Sequence, residues 1–197
     1  KIRHPNVKFS FFGNKNKLLP LISSIKILKN SDIIHTNEFI DANEKPSIAV
    51  RKGKNSSMGM AIQSVKSGHA DAIISAGNTG ALMAMTKLFL RPIEGISRPA
   101  IAAYFPTITG ESCMLDLGAN IECDAKNLVQ FAFMGQAFAN IVMGVNNPSI
   151  SLLNIGEEEQ KGLDYIKEAS QILSNLKNQI NYTGFIEGDK IAQGFSD

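Results

Sequence analysis

The chain has 197 residues, 44% of them hydrophobic and 19% charged, which is enough for a substantial core in one large domain or two small ones. A net charge of +2 is too small to argue for a nucleic-acid partner, and two cysteines, Cys113 and Cys123, offer neither a disulfide framework nor a paired-cysteine metal site. With no disulfide framework, a reducing cytosol is the simplest expected compartment; no apolar run reaches the ~18 residues of a membrane span, and the first residues read as no signal-peptide core.

From the start at Lys1 rather than methionine, and the end at Asp197 just after what reads as the start of another unit, a fragment is expected. Val7 to Gly13 alternates and ends in glycine, as a strand does. Leu18 to Leu28 has apolar residues at helical spacing, with Pro20 tolerable near a first turn. Asp32 to Thr36 reads as a second strand and Asp41 to Pro46 as a polar connection. A basic loop, Arg51 to Met58, leads into a helix with Asn55 or Ser56 as its cap and Met58, Ala61, Ile62 and Val65 as its apolar stripe. Gly68 suits the residue after that helix.

Ala70 to Ser75 has the length and make-up of a buried strand. It breaks at Gly77-Asn78-Thr79-Gly80 and resumes as a helix that should stop near Leu90, before Pro92. A strand, a glycine turn and a helix aim unpaired N–H groups and a positive helix end outward. If the two glycines take positive φ, a ligand can approach the backbone closely. The turn is therefore either a plain βα connection or an anion site. No Walker lysine and no dinucleotide fingerprint accompany it.

Arg91 to Pro99 is a loop with two arginines. Ala100 to Phe105 is an expected strand stopped by Pro106, and Ser112 to Leu117 another. Asp124 can cap a long helix from Ala125 to Val142, with Leu128, Phe131, Ala132 and Gly135 at core spacing. Ser149 to Asn154 is a strand, and Gly156 to Gly162 turns into a helix reaching Leu176. Asn181 to Ile186 is the last strand. The alternation predicts a mostly parallel sheet covered by helices, in a single α/β domain over residues 1–197.

Ligands of open parallel sheets bind beyond the carboxyl ends of the strands. Four clusters follow such ends: Ser75 to Thr79; Asp116, Gly118 and Asn120; Asn154, Gly156, Glu157 and Lys161; and Glu187 to Asp189. Small anions suit them, and so does ordinary turn chemistry. Asp116 serves either to tie its turn or to act in catalysis. Glu157, Glu158 and Glu159 most simply serve a helix dipole. Lys161, a cation near a helix start, makes sense beside an anionic ligand, or paired with Glu157. His4, His35 and His69 lie far apart in the sequence and read as surface or supporting residues, not metal ligands. Neither cysteine has a histidine near it in sequence, which disfavours a thiol nucleophile.

Taken together, Arg51 to Met58, Ile74 to Met83, Arg98 to Ala102, Leu115 to Asn120, Leu128 to Gly135, Leu152 to Glu157 and Lys161-Gly162 resemble the phosphate acyltransferases of bacterial phospholipid synthesis. The resemblance runs from the region of Pro5 to the end. It implies attack of inorganic phosphate on the thioester of a long-chain acyl–acyl carrier protein, giving acyl phosphate and free carrier. It also implies a three-layer α/β/α sandwich of the isocitrate/isopropylmalate dehydrogenase type, a homodimer, and no metal or nicotinamide cofactor. A place in the cytoplasm, with peripheral association at the membrane's inner face, goes with it.

On that basis Lys161 and Asn120 are the expected catalytic residues. Ser75, Gly77, Asn78, Thr79, Gly80, Asn154 and Glu157 are expected at the substrate and phosphate, and Arg51, Lys52, Arg91 and Arg98 are candidates for docking the acidic carrier. The family's N-terminal Asp-Ala-Met-Gly-Gly-Asp loop and the Asp-Gly-Phe-Thr-Gly-Asn stretch expected after Asp197 are missing. Gly53 departs from the basic run usual there. The competing readings are a phosphate acetyl- or butyryltransferase using coenzyme A, and a fragment that binds without turnover.

Overall fold

The computed structural model describes residues 4–28, 31–158 and 160–197. Among these described residues it is a mixed α/β structure with two parallel strand pairs and one antiparallel pair, and it divides into two compact units, Lys1–Pro92 and Ile93–Asp197.

In the N-terminal unit, β1 (Ser10–Gly13) pairs in parallel with β2 (Asp32–His35), joined through α1 (Lys15–Ser24). The Asn14 side chain accepts from the Lys17 N–H and starts α1 three residues ahead of the expected Leu18. Pro20 therefore lies in the helix interior, where it costs one backbone bond. Three helices follow: α2 (Pro46–Lys52), α3 (Ser57–Lys66) and α4 (Thr79–Phe89). Ala49, Met58, Ile62, Ala81 and Met85 form their shared core, all under a tenth exposed. Burying such side chains supplies about 1.5–3 kcal/mol for each large one. The expected stripe on α3 thus reaches this core through Met58 and Ile62, Ser56 is the N-cap, and Gly68 takes φ +75 after the helix.

The stretch from Ala70 to Ser75, expected as a buried strand, forms no ladder among the described residues, and Ile74 is 89% exposed. A strand needs neighbours for its backbone groups on at least one edge. Here a groove of about 1700 Å³ lies between this stretch and the β1 region, lined by Ile73 and Ser75 from the one, Phe9 and Phe11 from the other, and Met58 of α3.

The C-terminal unit starts with a hairpin. β3 (Ala103–Thr107) and β4 (Gly110–Met114) pair antiparallel, because the connection is too short for the crossover that parallel strands require. Pro106, expected to stop the strand, sits inside β3 opposite Glu111, a position an edge strand tolerates. Asp124 caps α5 (Ala125–Phe138) in a reciprocal box with Asn127, and a π-helical turn, Ala139–Met143, extends it. β5 (Ser149–Leu153) and β6 (Asn181–Ile186) pair in parallel across α6 (Asp164–Asn175). Ala125, Ala132, Leu152, Ala169, Leu173 and Ile180 make the core between them. The Asp197 carboxylate accepts from the Ser149 N–H and hydroxyl at 2.8 and 2.7 Å, tying the end of the described chain to the start of β5.

Candidate active site

The N-terminal unit carries the glycine turn. Asn78 is the N-cap of α4: its Oδ1 accepts from the Ala81 N–H at 2.9 Å. Its Nδ2 donates to the carbonyls of Asp41, Ala42 and Glu44 at 3.3, 3.0 and 2.9 Å. The amide is thus engaged at both ends, and it binds the polar loop before α2 to the start of α4. Gly77 and Gly80 are absent from the positive-φ positions, so the freedom expected of them is not used. They serve close packing: a Cβ at Gly80 would lie 3.0 Å from Pro46 Cγ, and one at Gly77 3.1 Å from Met58 Cε. Ser75 Oγ accepts from the Gly77 N–H at 3.2 Å, and Ser75 and Thr79 are exposed.

Asn78→Ala is expected to cost about 1–3 kcal/mol, the sum of a lost cap and of carbonyls left without a donor. Asn78→Ser keeps a capping oxygen and should recover part of the loss. Urea unfolding of the three proteins separates the two terms, and a serine variant as stable as wild type would show that the loop tie contributes nothing.

In the C-terminal unit the turn after β4 is organised by Asp116. Its carboxylate accepts from the N–H groups of Ile101 (2.8 Å), Ala119 (3.3 Å) and Asn120 (2.9 Å) and from Asn120 Nδ2 (3.0 Å). Asn120 Nδ2 also donates to the Pro99 carbonyl at 2.9 Å. One amide hydrogen of Asn120 is committed inside the turn, to Asp116, and the other to the Pro99 carbonyl, so donating to an oxyanion requires one of these bonds to open.

Burial pushes the Asp116 carboxyl upward, but the bonds from Ile101, Asn120 and Ala119 outweigh it and hold the group below the ordinary 3.8. A depressed folded-state value means the carboxylate's contribution to stability is complete above pH 3.8 and is lost as pH falls through the lower folded value. Asp116→Asn should therefore be less stable at neutral pH, with the gap to wild type narrowing below pH 3.8. Thermal midpoints at the two pH values check this, and a constant gap would contradict it.

β5 ends at Leu153, and Asn154, Glu157 and Lys161 follow on the loop before α6. The Asn154 N–H donates to the Ile186 carbonyl at 3.0 Å, so this loop and the one after β6 start side by side. Asn154 Nδ2 donates to the carbonyls of Gly156 and Lys161, both at 3.0 Å. Lys161 Nζ pairs with Glu158 at 2.9 Å rather than with the expected Glu157, which pairs with Lys190. The bond to Glu158 raises the Lys161 ammonium above its ordinary value and keeps it charged. Because α6 starts only at Asp164, Glu157 and Glu158 act as loop partners of lysines and not as first-turn residues. Glu159, read with them, lies outside the described residues.

The docking candidates fall in different places. Arg51 and Lys52 are exposed on the last turn of α2, and Arg91 is exposed at φ +64. Arg98, in the C-terminal unit, donates to the Glu122 carbonyl at 2.7 Å. Two supporting residues escaped the sequence reading. Asn127 and Gln130 are buried on α5 and hold the loop before Arg98: Gln130 Oε1 accepts from the Ser97 N–H and hydroxyl at 3.0 and 2.8 Å, and its Nε2 donates to the Gly95 carbonyl at 2.7 Å. Asn127 Nδ2 donates to Ser97 Oγ at 2.9 Å. The signal was two amides on the helix face that Phe131 and Ala132 bury. Cys113 and Cys123 are free thiols, and burial raises both, which disfavours thiolate. Among the described residues no helix is long and apolar enough to cross a membrane.

A family model described as fatty acid synthesis protein matches residues 2–197. A protein named phosphate acyltransferase from Rhodospirillum centenum is 50% identical over 196 residues, covering 99% of this chain and 55% of that protein. Another of that name from Parvibaculum lavamentivorans is 49% identical over 198 residues, covering all of this chain and 55% of its own length. The chain thus spans about half the length of the curated relatives it matches. Among solved structures, the EutD phosphotransacetylase from Staphylococcus aureus superposes with a TM-score of 0.60 at 18% identity, over 94% of this chain and 65% of that one, which shows a shared fold.

Proposed function

This chain belongs to the fatty acid synthesis protein family, and on that premise we propose that it is part of an acyltransferase that moves a long-chain acyl group from the thioester of acyl carrier protein to inorganic phosphate. The observation that carries this is 50% identity over 196 residues to a protein named phosphate acyltransferase. In the reaction, a phosphate oxygen adds to the thioester carbonyl. The tetrahedral oxyanion then collapses with cleavage of the C–S bond, leaving acyl phosphate, and the thiolate takes its proton from water. A thiolate leaves readily, so positioning and charge complementarity carry the rate rather than a strong general acid.

Lys161 is assigned as the catalytic cation. Its partner Glu158 is exposed, and an exposed pair of this kind is worth little, so an incoming dianion can displace it. Ser75, Thr79 and the backbone N–H group of Gly80 at the start of α4 are assigned to phosphate or acyl phosphate, and the Gly77 N–H joins them once its bond to Ser75 Oγ opens. Asn78, Asn154 and Glu157 belong to the same assignment, the two asparagines by holding the turns that carry it, and Asn120 is assigned with Lys161 to catalysis, as a donor to the oxyanion once its bond to Asp116 or Pro99 opens. Arg51, Lys52, Arg91 and Arg98 are assigned to the acidic carrier. The complete protein is proposed as a cytoplasmic homodimer of three-layer α/β/α architecture, peripheral at the membrane and using no metal or nicotinamide.

The test is to offer the full-length protein long-chain acyl–acyl carrier protein and the matching coenzyme A thioester, each with phosphate. Carrier release supports the proposal. Turnover of the coenzyme A ester alone would assign it instead to the acetyl- or butyryltransferase class.

A further inference from the structure

Lys161 is held at four points, all by its own loop. Its N–H donates to the Glu158 carbonyl at 3.0 Å and its carbonyl accepts from Asn154 Nδ2 at 3.0 Å. Its ammonium meets Glu158 at 2.9 Å. The fourth point is the side-chain stem, which lies directly on Gly156: a Cβ built there would collide with Lys161 Cδ and come within 2.9 Å of Glu158 Oε2. Gly156 is buried and has no positive φ, so its lack of a side chain answers to space and not to backbone conformation.

The floor of this arrangement is Asn154, 6% exposed. Its Nδ2 spends both hydrogens on the carbonyls at the two ends of the loop, Gly156 and Lys161. Its Oδ1 has no hydrogen-bond donor among the described residues and lies against Gly162. At φ +95 and with a Cβ that would overlap that oxygen, Gly162 is the residue type this contact requires. An apolar Asn154 replacement would free both carbonyls and the loop backbone that carries Lys161.

We propose that Asn154, Gly156 and Gly162 form a seat that positions the Lys161 ammonium, with Gly156 as the element that sets the path of its stem. The proposal rests on the reading of Lys161 as the catalytic cation. None of the three side-chain positions touches substrate in this account; they are positioning residues. Lysine's four-carbon stem loses more freedom on ordering than most side chains, so a prebuilt seat lowers what phosphate binding must supply.

The experiment is a double-mutant cycle in the full-length protein, with acyl–acyl carrier protein and inorganic phosphate as substrates. Gly156→Ala should raise the KM for phosphate about 10-fold with a smaller change in kcat, and leave the thermal midpoint close to wild type. Placed on Lys161→Ala, the same substitution should have no further effect, because the stem it displaces is gone. Asn154→Ala should show the same coupling to Lys161, and its larger stability loss is tracked by thermal unfolding in the same samples. Wild-type phosphate KM in Gly156→Ala, or effects that multiply independently with Lys161→Ala, would overturn the seat while leaving Lys161 catalytic. Full turnover in Lys161→Ala would remove both readings together.

Discussion

The full-length protein carrying Lys161→Ala is expected to lose at least ~10-fold in acyl phosphate formation while unfolding at the same temperature as wild type. The two halves of this expectation have separate grounds. Lys161 is exposed, and its ion pair is with an exposed glutamate three residues away, so removing it takes little from the fold. Its backbone bonds to Asn154 and Glu158 survive the substitution. The lost charge, by contrast, would have faced a dianion and then an oxyanion. Turnover unchanged in Lys161→Ala would take the residue out of the site.

Gly59→Ala should be among the most destabilising single changes in the N-terminal unit, by about 2 kcal/mol or more. By helix propensity alone the substitution should help by about 1 kcal/mol, since Gly59 lies in the first turn of α3. Packing reverses the sign. A Cβ there would strike the Gly53 carbonyl and come within 2.7 Å of the Lys54 carbonyl, both of them backbone and unable to rotate away. The same crossing is pinned by Ser56 Oγ, which donates to the Gly53 carbonyl at 2.6 Å and accepts from the Gly59 N–H at 3.1 Å, and by Gln63 Nε2 on the Lys54 carbonyl at 2.7 Å. The basic turn with Arg51, Lys52 and Lys54 hangs on this contact. Denaturant unfolding checks it, and a variant at least as stable as wild type would refute the close approach.

These cases show what was legible beforehand. The α3 stripe, the Asp124 cap, β5 and β6 were readable because apolar spacing and capping residues act locally. The antiparallel pairing of β3 and β4 was obscured by Pro106, taken as a stop where an edge position tolerates it. Ala70 to Ser75 has strand composition, yet composition does not supply the neighbour a ladder needs. The cut between the units at Pro92 and Ile93 falls in the loop from Arg91 to Pro99, whose prolines, glycine and serine suit a short connection within one domain as well as a boundary.

In the cluster expected after β5 from strand-end logic, Asn154, Gly156 and Lys161 are joined to one another, whereas Glu157 pairs with Lys190. The roles of the asparagines were not legible: Asn78, Asn120 and Asn154 each direct amide hydrogens at carbonyls brought close only by folding. Gly53 likewise reads as a gap in a basic run. In the structure it is buried, and a Cβ would lie 2.8 Å from Ile40 Cδ1 and 3.0 Å from Met85 Cε.

Acyl transfer to phosphate is tested by the fate of phosphate itself. Labelled inorganic phosphate is supplied to the full-length protein with long-chain acyl–acyl carrier protein, and acyl phosphate and free carrier thiol are quantified together. The two are expected to appear one for one, and neither without phosphate. Carrier thiol released at the same rate without phosphate, with no label in an acyl product, would mean that water is the acceptor and would contradict this expectation.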